Sequence, residues 1–505
     1  MNRVDQYRKQ INEIFGFSLR NEQEKTLINL DKKNVISIMP TGSGKSMTYL
    51  LPVSMGSRTL VISPLKALIE DQYQSAKEFG LNPVFINSSL NATTRRLNLE
   101  KFKSRKSNLL FVSPERFENN EFLNEILKIN VDLFAIDEAH CISDWGNDFR
   151  PSYLNLGNVR KILKPKRTLA LTATAKVNVI EDIKNKLFFD NNDSISLTFS
   201  FNRKNLKFHN ISALNEKNQD EIIANLISNN DTGSHIIYCR TRKITEETSE
   251  YLNLKGIKSA FFHAGLSEKE KIKIQNQFRN DDLKTIVATT AFGMGIDKPD
   301  VRIVIVKGIP KNIEEYYQQC GRAGRDGNES NCYLVSLDKD YNREKMRIER
   351  SFPKKEELFD IWERLLDYLK NNKDKFNMRD LEKLFFKYSY GSSNPKLILS
   401  LNSFINSKLI ESNTYKLIEY SKFPKINFSY IAEREKNAKY ELYDIEELRT
   451  TKLCIREKVL NYFKENYICV DENCCDYEKK LSPLIKELNN LIKEITNSNL
   501  KISYS

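Results

Sequence analysis

Through the first 340 residues, short apolar runs rich in β-branched side chains alternate with stretches in which apolar positions recur every three to four residues. The runs read NVISIMP from 34, RTLVISP from 58, NLLFVSP from 108, VDLFAIDEAH from 131 and RTLALTAT from 167, then HIIYCRT from 235, IKSAFFHAG from 257, KTIVATT from 284 and RIVIVKG from 302. A strand covered on both faces is apolar at consecutive rather than alternate positions, and strands that alternate with helices form parallel sheets. The pattern predicts an α/β fold with two parallel sheets. The polar stretch SFNRKN at 200–205 parts the two groups of runs, giving domains at 1–203 and 204–340. Beyond about 338, long amphipathic helices replace the alternation and glycine becomes rare, which sets apart regions 341–440 and 441–505. Between 378 and 420, MRDLEKLFFKY, NPKLILSLNSFINSKLI and YKLIEY predict two helices and a strand. A winged helix and an ordinary helical bundle fit that order equally. At the end, Leu481, Leu484, Leu488, Leu491 and Ile495 mark one amphipathic helix, read as core packing.

Composition narrows the class. At 505 residues, 40% hydrophobic and 29% charged, the chain can bury several cores. A formal charge of +13 suits a polyanionic partner, although a genome biased toward Lys, Asn and Ile produces the same excess without function. No apolar run approaches a membrane span, and MNRVDQYRKQ lacks the apolar core of a signal peptide, so a soluble cytoplasmic protein with no membrane partner is expected. Of eight cysteines, those at 141, 239, 320 and 332 are scattered and form no disulfide framework; the other four lie between 454 and 475.

Three motifs carry chemistry. MPTGSGKS, Met39 to Ser46, follows an apolar strand and precedes a helical pattern. In that setting the backbone of Thr41, Gly42, Ser43 and Gly44 cradles phosphates, Lys45 reaches the β and γ phosphates of ATP, and the Ser46 hydroxyl ligates Mg2+. AIDEAH at 135–140 ends another strand, so Asp137 can hold Mg2+ while Glu138 orients and deprotonates an attacking water, with His140 beside them. QQCGRAGRDG at 318–327 adds Arg322 and Arg325 beside flexible glycines, suited to reach across from a second domain as arginine fingers.

In this order the motifs resemble the RecQ family of superfamily 2 DNA helicases over roughly residues 10 to 340. The resemblance implies two tandem RecA-like domains and an ATP-dependent motor that moves 3′ to 5′ on single-stranded DNA and unwinds tailed or forked duplexes, usually in repair and recombination. FGFSLRNEQ at 15–23 resembles the adenine-reading segment, with Arg20 near the base and Gln23 on its edge, one residue shorter than usual between Gly16 and Arg20. SPLKALIEDQ from 63, with Ser63, Pro64 and Lys66, is similar to a DNA-backbone motif. HCISDWGNDFRPSY resembles the aromatic-rich loop that senses single-stranded DNA through Trp145, Phe149 and Arg150, with Asp144 and Asn147 where the family has Gln and His. Aromatic faces stack on any base and arginine adds phosphate or cation–π contact, so the residue types suit that role. LTATA at 171–175 resembles the segment linking the ATP and DNA sites. YCRTR with Arg240, VATTAFGMGIDKPDVR with Thr289 and Thr290, and Gln318 with Arg322 and Arg325 match the second domain, where Gln319 replaces the usual Glu.

The stretch from Cys454 to Cys475 resembles the family's zinc module, and four thiolates suit a structural zinc. The spacing departs from CxxCxxC, since Cys469 is followed after four residues by the adjacent pair Cys474 and Cys475. A degenerate module with Zn2+ and a metal-free remnant both remain open. Other classes also stand: a translocase or RNA-directed motor of the same superfamily, which shares the ATP motifs but should lack the aromatic-rich loop; a DNA-binding scaffold without unwinding, which would be marked by damage to Lys45, Asp137, Glu138, Arg322 or Arg325; and a partner protein that retains ATPase activity. None of those five residues is altered.

Overall fold

The computed structural model describes residues 3–16, 18–87, 89–143, 151–230, 232–290, 292–293, 298–371, 395–410, 416–418 and 424–468. The chain divides into two compact units, one of Met1–Ser200 with Thr290–Lys298 and Lys339–Tyr443, the other of Phe201–Thr289, Pro299–Asp338 and the stretch from Asp444 on. The regions expected at 341–440 and 441–505 are thus shared out between the units.

The first unit is built on β1 Asn34–Ile38, β2 Thr59–Ile62, β3 Pro83–Ile86, β4 Leu109–Val112, β5 Leu133–Ile136, β6 Arg167–Thr172 and β7 Ser194–Thr198, ordered β3-β4-β2-β5-β6-β1-β7. Every pairing is parallel. Strands β1, β2, β4 and β5 are buried at every position, which is why they read as unbroken apolar runs. Registers that match Ile38 with Thr172 and Ile136 with Ala170 bring the carboxyl ends of β1, β5 and β6 side by side. In open parallel sheets that edge is where ligands bind.

The second unit carries β8 Leu206–Ala213, β9 Ser234–Cys239, β10 Ser259–Phe262, β11 Thr285–Ala288, β12 Val301–Lys307 and β13 Ser330–Leu337, ordered β10-β11-β9-β12-β13-β8 and again all parallel. Two parallel sheets with a helical C-terminal region fulfil the expected fold class. The boundary falls within SFNRKN, and its residues from Phe201 on open the second unit as a tightly held segment, as its hydrogen bonds below show.

The helical region has a core of its own. Helices Lys355–Asn371 and Pro395–Asn406 bury Trp362, Leu365, Leu366, Leu397 and Phe404, and the Trp362 and Phe404 rings meet edge to face at 5.0 Å. An isolated antiparallel bridge joins Ile410 to Leu417. The whole stretch read as a first helix at 378–388 and part of the following strand lie outside the described residues, as does the terminal helix with Leu481. No described helix is long and apolar enough to cross a membrane.

Candidate active site

The loop after β1 bends through two left-handed glycines, Gly42 at φ +79° and Gly44 at φ +73°, and feeds the helix Met47–Ser54 with Ser46 at its N-cap. The helix Asn21–Leu30 holds this loop from behind. Gln23, 2% exposed, donates its amide to the carbonyls of Ser43 and Gly44, each at 3.0 Å, and accepts from the Arg20 N–H at 2.9 Å. The Arg20 guanidinium bonds the Gly42 carbonyl. Both residues expected to read adenine therefore also brace the phosphate loop. Lys45 Nζ rests 3.4 Å from the Met39 carbonyl. Ser43 Oγ is buried with no hydrogen-bond partner among the described residues, which fits a loop built around an absent acceptor-rich ligand such as a triphosphate.

At the end of β5, Asp137 is 6% exposed and accepts a 2.6 Å hydrogen bond from Gln72. Burial, and next the adjacent Glu138 carboxylate, push its carboxyl up to about 6, against the pull of Lys45 and of the Gln72 hydrogen bond. A buried carboxylate beside a second carboxylate has the chemistry of a divalent-cation ligand. Glu138 sits in the left-handed region at φ +49°, an uncommon conformation for a non-glycine residue and one that clusters at functional sites. His140 Nδ1 lies 3.3 Å from Glu138 Oε2 and 2.9 Å from Thr172 Oγ1. Thr172 in turn donates to the Thr174 carbonyl at 3.0 Å. The fully buried Tyr153 donates to the Asp137 carbonyl at 3.1 Å, pinning the turn from the other side. Lys45, Asp137, Glu138 and His140 thus meet at the strand edge that the sequence assigned them.

Three contributors were not legible from motifs. Gln72 lies at the end of the stretch read as a DNA grip, and nothing in its spacing marks it as a partner of Asp137. Tyr153 closes the aromatic-rich stretch but turns inward. Tyr238, inside YCRTR, is buried; burial pushes its phenol up while Arg322 and Arg325 pull it back, Arg322 through a hydrogen bond.

In the second unit, Asn312 caps the helix Ile313–Cys320, accepting from the Glu315 N–H at 2.9 Å, and Gln318 sits half-buried on that helix. Arg240 pairs with Glu315 at 3.3 Å. Thr289 is half-buried and Thr290 exposed. Of the residues expected to grip DNA in the first unit, Ser63 and Pro64 are buried and Lys66 is exposed. Trp145, Phe149 and Arg150 lie outside the described residues. So do Cys469, Cys474 and Cys475, while Cys454 is 5% exposed at the N-cap of the helix Ile455–Tyr462. Among the described residues no group of three or more His, Cys, Asp or Glu could hold a metal ion.

Two parallel-sheet units, the first with a phosphate loop beside a DEAH turn and the second with an arginine-bearing loop, define the motor class of superfamily 2 helicases. Comparison with known proteins agrees. The DEAD/DEAH box helicase family matches residues 20–183 and the helicase conserved C-terminal domain matches 218–327. The probable ATP-dependent DNA helicase RecS of Bacillus subtilis is 33% identical over 472 residues, 92% of this chain and 90% of the relative. The ATP-dependent DNA helicase RecQ of the same organism is 39% identical over 342 residues, 67% of this chain, and the aligned part spans 57% of that relative. In fold alone, the chain is similar to Mycobacterium smegmatis helicase Lhr bound to ssDNA and AMP-PNP, with a TM-score of 0.55, 18% identity and coverage of 69% of this chain and 50% of that one. Dbp5 of S. cerevisiae bound to RNA and ADP BeF3 also gives 0.55, at 19% identity, covering 66% of this chain and 87% of that one. The chain belongs to the RecQ family of helicases.

Proposed function

We propose that this protein is an ATP-dependent DNA helicase that moves 3′ to 5′ along single-stranded DNA and opens tailed or forked duplexes. The observation that carries the reading is the strand-edge constellation of Lys45, Asp137, Glu138 and His140, tied to Thr172 by the His140 hydrogen bond. Mg2+ held by Asp137 and Ser46 would neutralise charge on the β and γ phosphates of bound ATP. The loop 41–46 orients the phosphates, and Lys45 adds a fixed positive charge to them. Glu138 aligns the attacking water and takes its proton, and His140 stabilises Glu138 in its left-handed turn. Arg322 and Arg325 supply further charge to the transition state. Trp145, Phe149 and Arg150 bind the strand and report its presence to the DEAH turn.

The wider family supports the choice of DNA and the direction. A Zn2+ ion on Cys454, Cys469, Cys474 and Cys475 is part of the same proposal, supported by the burial of the Cys454 thiol and by a count of thiols that suits a closed structural site. We place the protein in the cytoplasm, on the nucleoid. The test is hydrolysis of ATP with and without single-stranded DNA, in the parent and in Glu138→Gln. The reading expects DNA to raise the parent's rate and the variant to bind ATP without turning it over. DNA binding without any stimulated hydrolysis would replace the motor by a scaffold.

A further inference from the structure

The segment after Cys454 is tied into the second unit far more tightly than an appended module requires. Arg456 is 4% exposed, and its guanidinium donates to Asn202 Oδ1 at 2.9 Å, to the Arg203 carbonyl at 2.6 Å and to the Leu206 carbonyl. Its charge lies over the Phe208 ring, 5.5 Å from the centroid. Nearby, the Phe463 ring stacks on Phe201 at 4.2 Å and 13°, and Glu465 accepts from the Phe201 N–H at 2.8 Å. Tyr317 packs edge-on against both rings, and its hydroxyl donates to the Phe201 carbonyl. Residues 201–206 are therefore held by the C-terminal segment together with the helix that carries Gln318.

That same stretch holds the arginine loop. Arg203 donates to the carbonyls of Ala323 and Gly324 at 3.0 and 2.7 Å, and Asn205 donates to those of Gly324 and Asn328, each at 2.9 Å. The turn is closed around these bonds: Gly324 is left-handed at φ +55°, and a Cβ there would stand 2.4 Å from Asn205 Nδ2. Ala323 and Gly324 sit between Arg322 and Arg325. A continuous path of largely part-buried polar contacts thus runs from Arg456 through the 201–206 backbone and Arg203 to the backbone between the two arginines.

We propose that Arg456 is a positioning residue for ATP hydrolysis, and that the cysteine-bearing segment serves the motor by fixing the arginine loop through residues 201–206. The proposal rests on the helicase reading above, in which Arg322 and Arg325 act in the transition state. A planar guanidinium donates several bonds in fixed directions, which an ammonium cannot copy, so Arg456→Lys keeps the charge and loses the geometry. A loop bearing transition-state groups that drifts by a fraction of an ångström lowers turnover and spares substrate binding.

The experiment uses the full chain and measures DNA-stimulated ATP hydrolysis for the parent, Arg456→Lys, Asn202→Ala, Arg203→Gln and the double variant Arg456→Lys with Arg203→Gln. Affinity for single-stranded DNA and thermal melting are followed for each. The expected result is a kcat lowered roughly ten-fold in Arg456→Lys, with KM for ATP and DNA affinity within about two-fold of the parent. Asn202→Ala, which loses one acceptor, falls in the same sense by less. The double variant is no slower than Arg203→Gln alone, because both act on one path. Two results overturn the proposal: kcat for Arg456→Lys within about two-fold of the parent, or a loss that tracks melting and vanishes when the assay is cooled. A parent with no DNA-stimulated hydrolysis overturns the helicase reading and this proposal together; an active parent with an unaffected Arg456→Lys overturns this proposal alone.

Discussion

His140 Nδ1 stands 2.9 Å from Thr172 Oγ1, which joins the DEAH turn after β5 to the end of β6. Because the Thr172 hydroxyl gives its one proton to the Thr174 carbonyl at 3.0 Å, the network assigns the donor role to His140 Nδ1–H. The same nitrogen lies 3.3 Å from Glu138 Oε2, so the histidine bridges the Glu138 carboxylate and LTATA. Thr172→Val removes the acceptor without opening a cavity. The expected outcome is basal hydrolysis within about three-fold of the parent and DNA stimulation reduced about ten-fold, read by steady-state ATPase with and without DNA. Stimulation equal to the parent's would show that the coupling runs elsewhere.

Asp137 gives a pH-dependent test. Its folded carboxyl is pushed up to about 6, above the ordinary 3.8. A raised carboxyl contributes stability as the neutral acid, fully present below 3.8 and lost as pH rises through about 6. In the absence of nucleotide and Mg2+, Asp137→Asn is expected to melt higher than the parent at about pH 7.5, by an amount on the order of 2 kcal/mol, with the gap roughly halved at about pH 5 and closing toward about pH 4. The variant should hydrolyse no ATP. Equal melting at both pH values would mean that Asp137 carries no buried-charge strain.

The phosphate loop offers a steric test. A Cβ on Gly44 would stand 2.5 Å from Gln23 Nε2, and its φ of +73° penalises any side chain. Gly44→Ala should abolish ATP binding in a folded protein. Gln23→Ala leaves the carbonyls of Ser43 and Gly44 without their donor and should raise KM for ATP roughly ten-fold, a loss of about 1.4 kcal/mol. ATP affinity measured by titration calorimetry checks both.

Much of this was readable in advance because the chemistry sits where strands end. The unbroken apolar runs of β1 and β5 fixed both the parallel sheet and the edge on which Lys45 and Asp137 meet. What escaped was anything whose role depends on side-chain direction in three dimensions. Gln72 is one polar residue among many on the helix Lys66–Glu78, yet it is the hydrogen-bond partner of Asp137. Likewise SFNRKN reads only as a polar boundary between the two groups of strands; nothing in it shows that Arg203 and Asn205 donate to the carbonyls of the arginine loop. The cysteine spacing set the zinc question without answering it, since a metal site is decided by geometry.

Zinc content answers that question. Purified protein is expected to carry about one Zn2+ per chain, and Cys454→Ser is expected to lose it and melt lower. Metal analysis checks the first and a melting curve the second. A parent without zinc would make the segment a metal-free remnant, held by contacts such as those of Arg456, Phe463 and Glu465.

The central claim is tested most directly by unwinding. The parent and Lys45→Ala are given the same duplex with a 3′ single-stranded tail, with a 5′ tail or with blunt ends, plus ATP and Mg2+, and strand separation is followed by loss of fluorescence quenching. The account predicts that the parent opens the 3′-tailed duplex, leaves the others largely closed, and loses the activity when Lys45 is replaced. Opening confined to the 5′-tailed duplex, or no opening while ATP is hydrolysed at the DNA-stimulated rate, would contradict it.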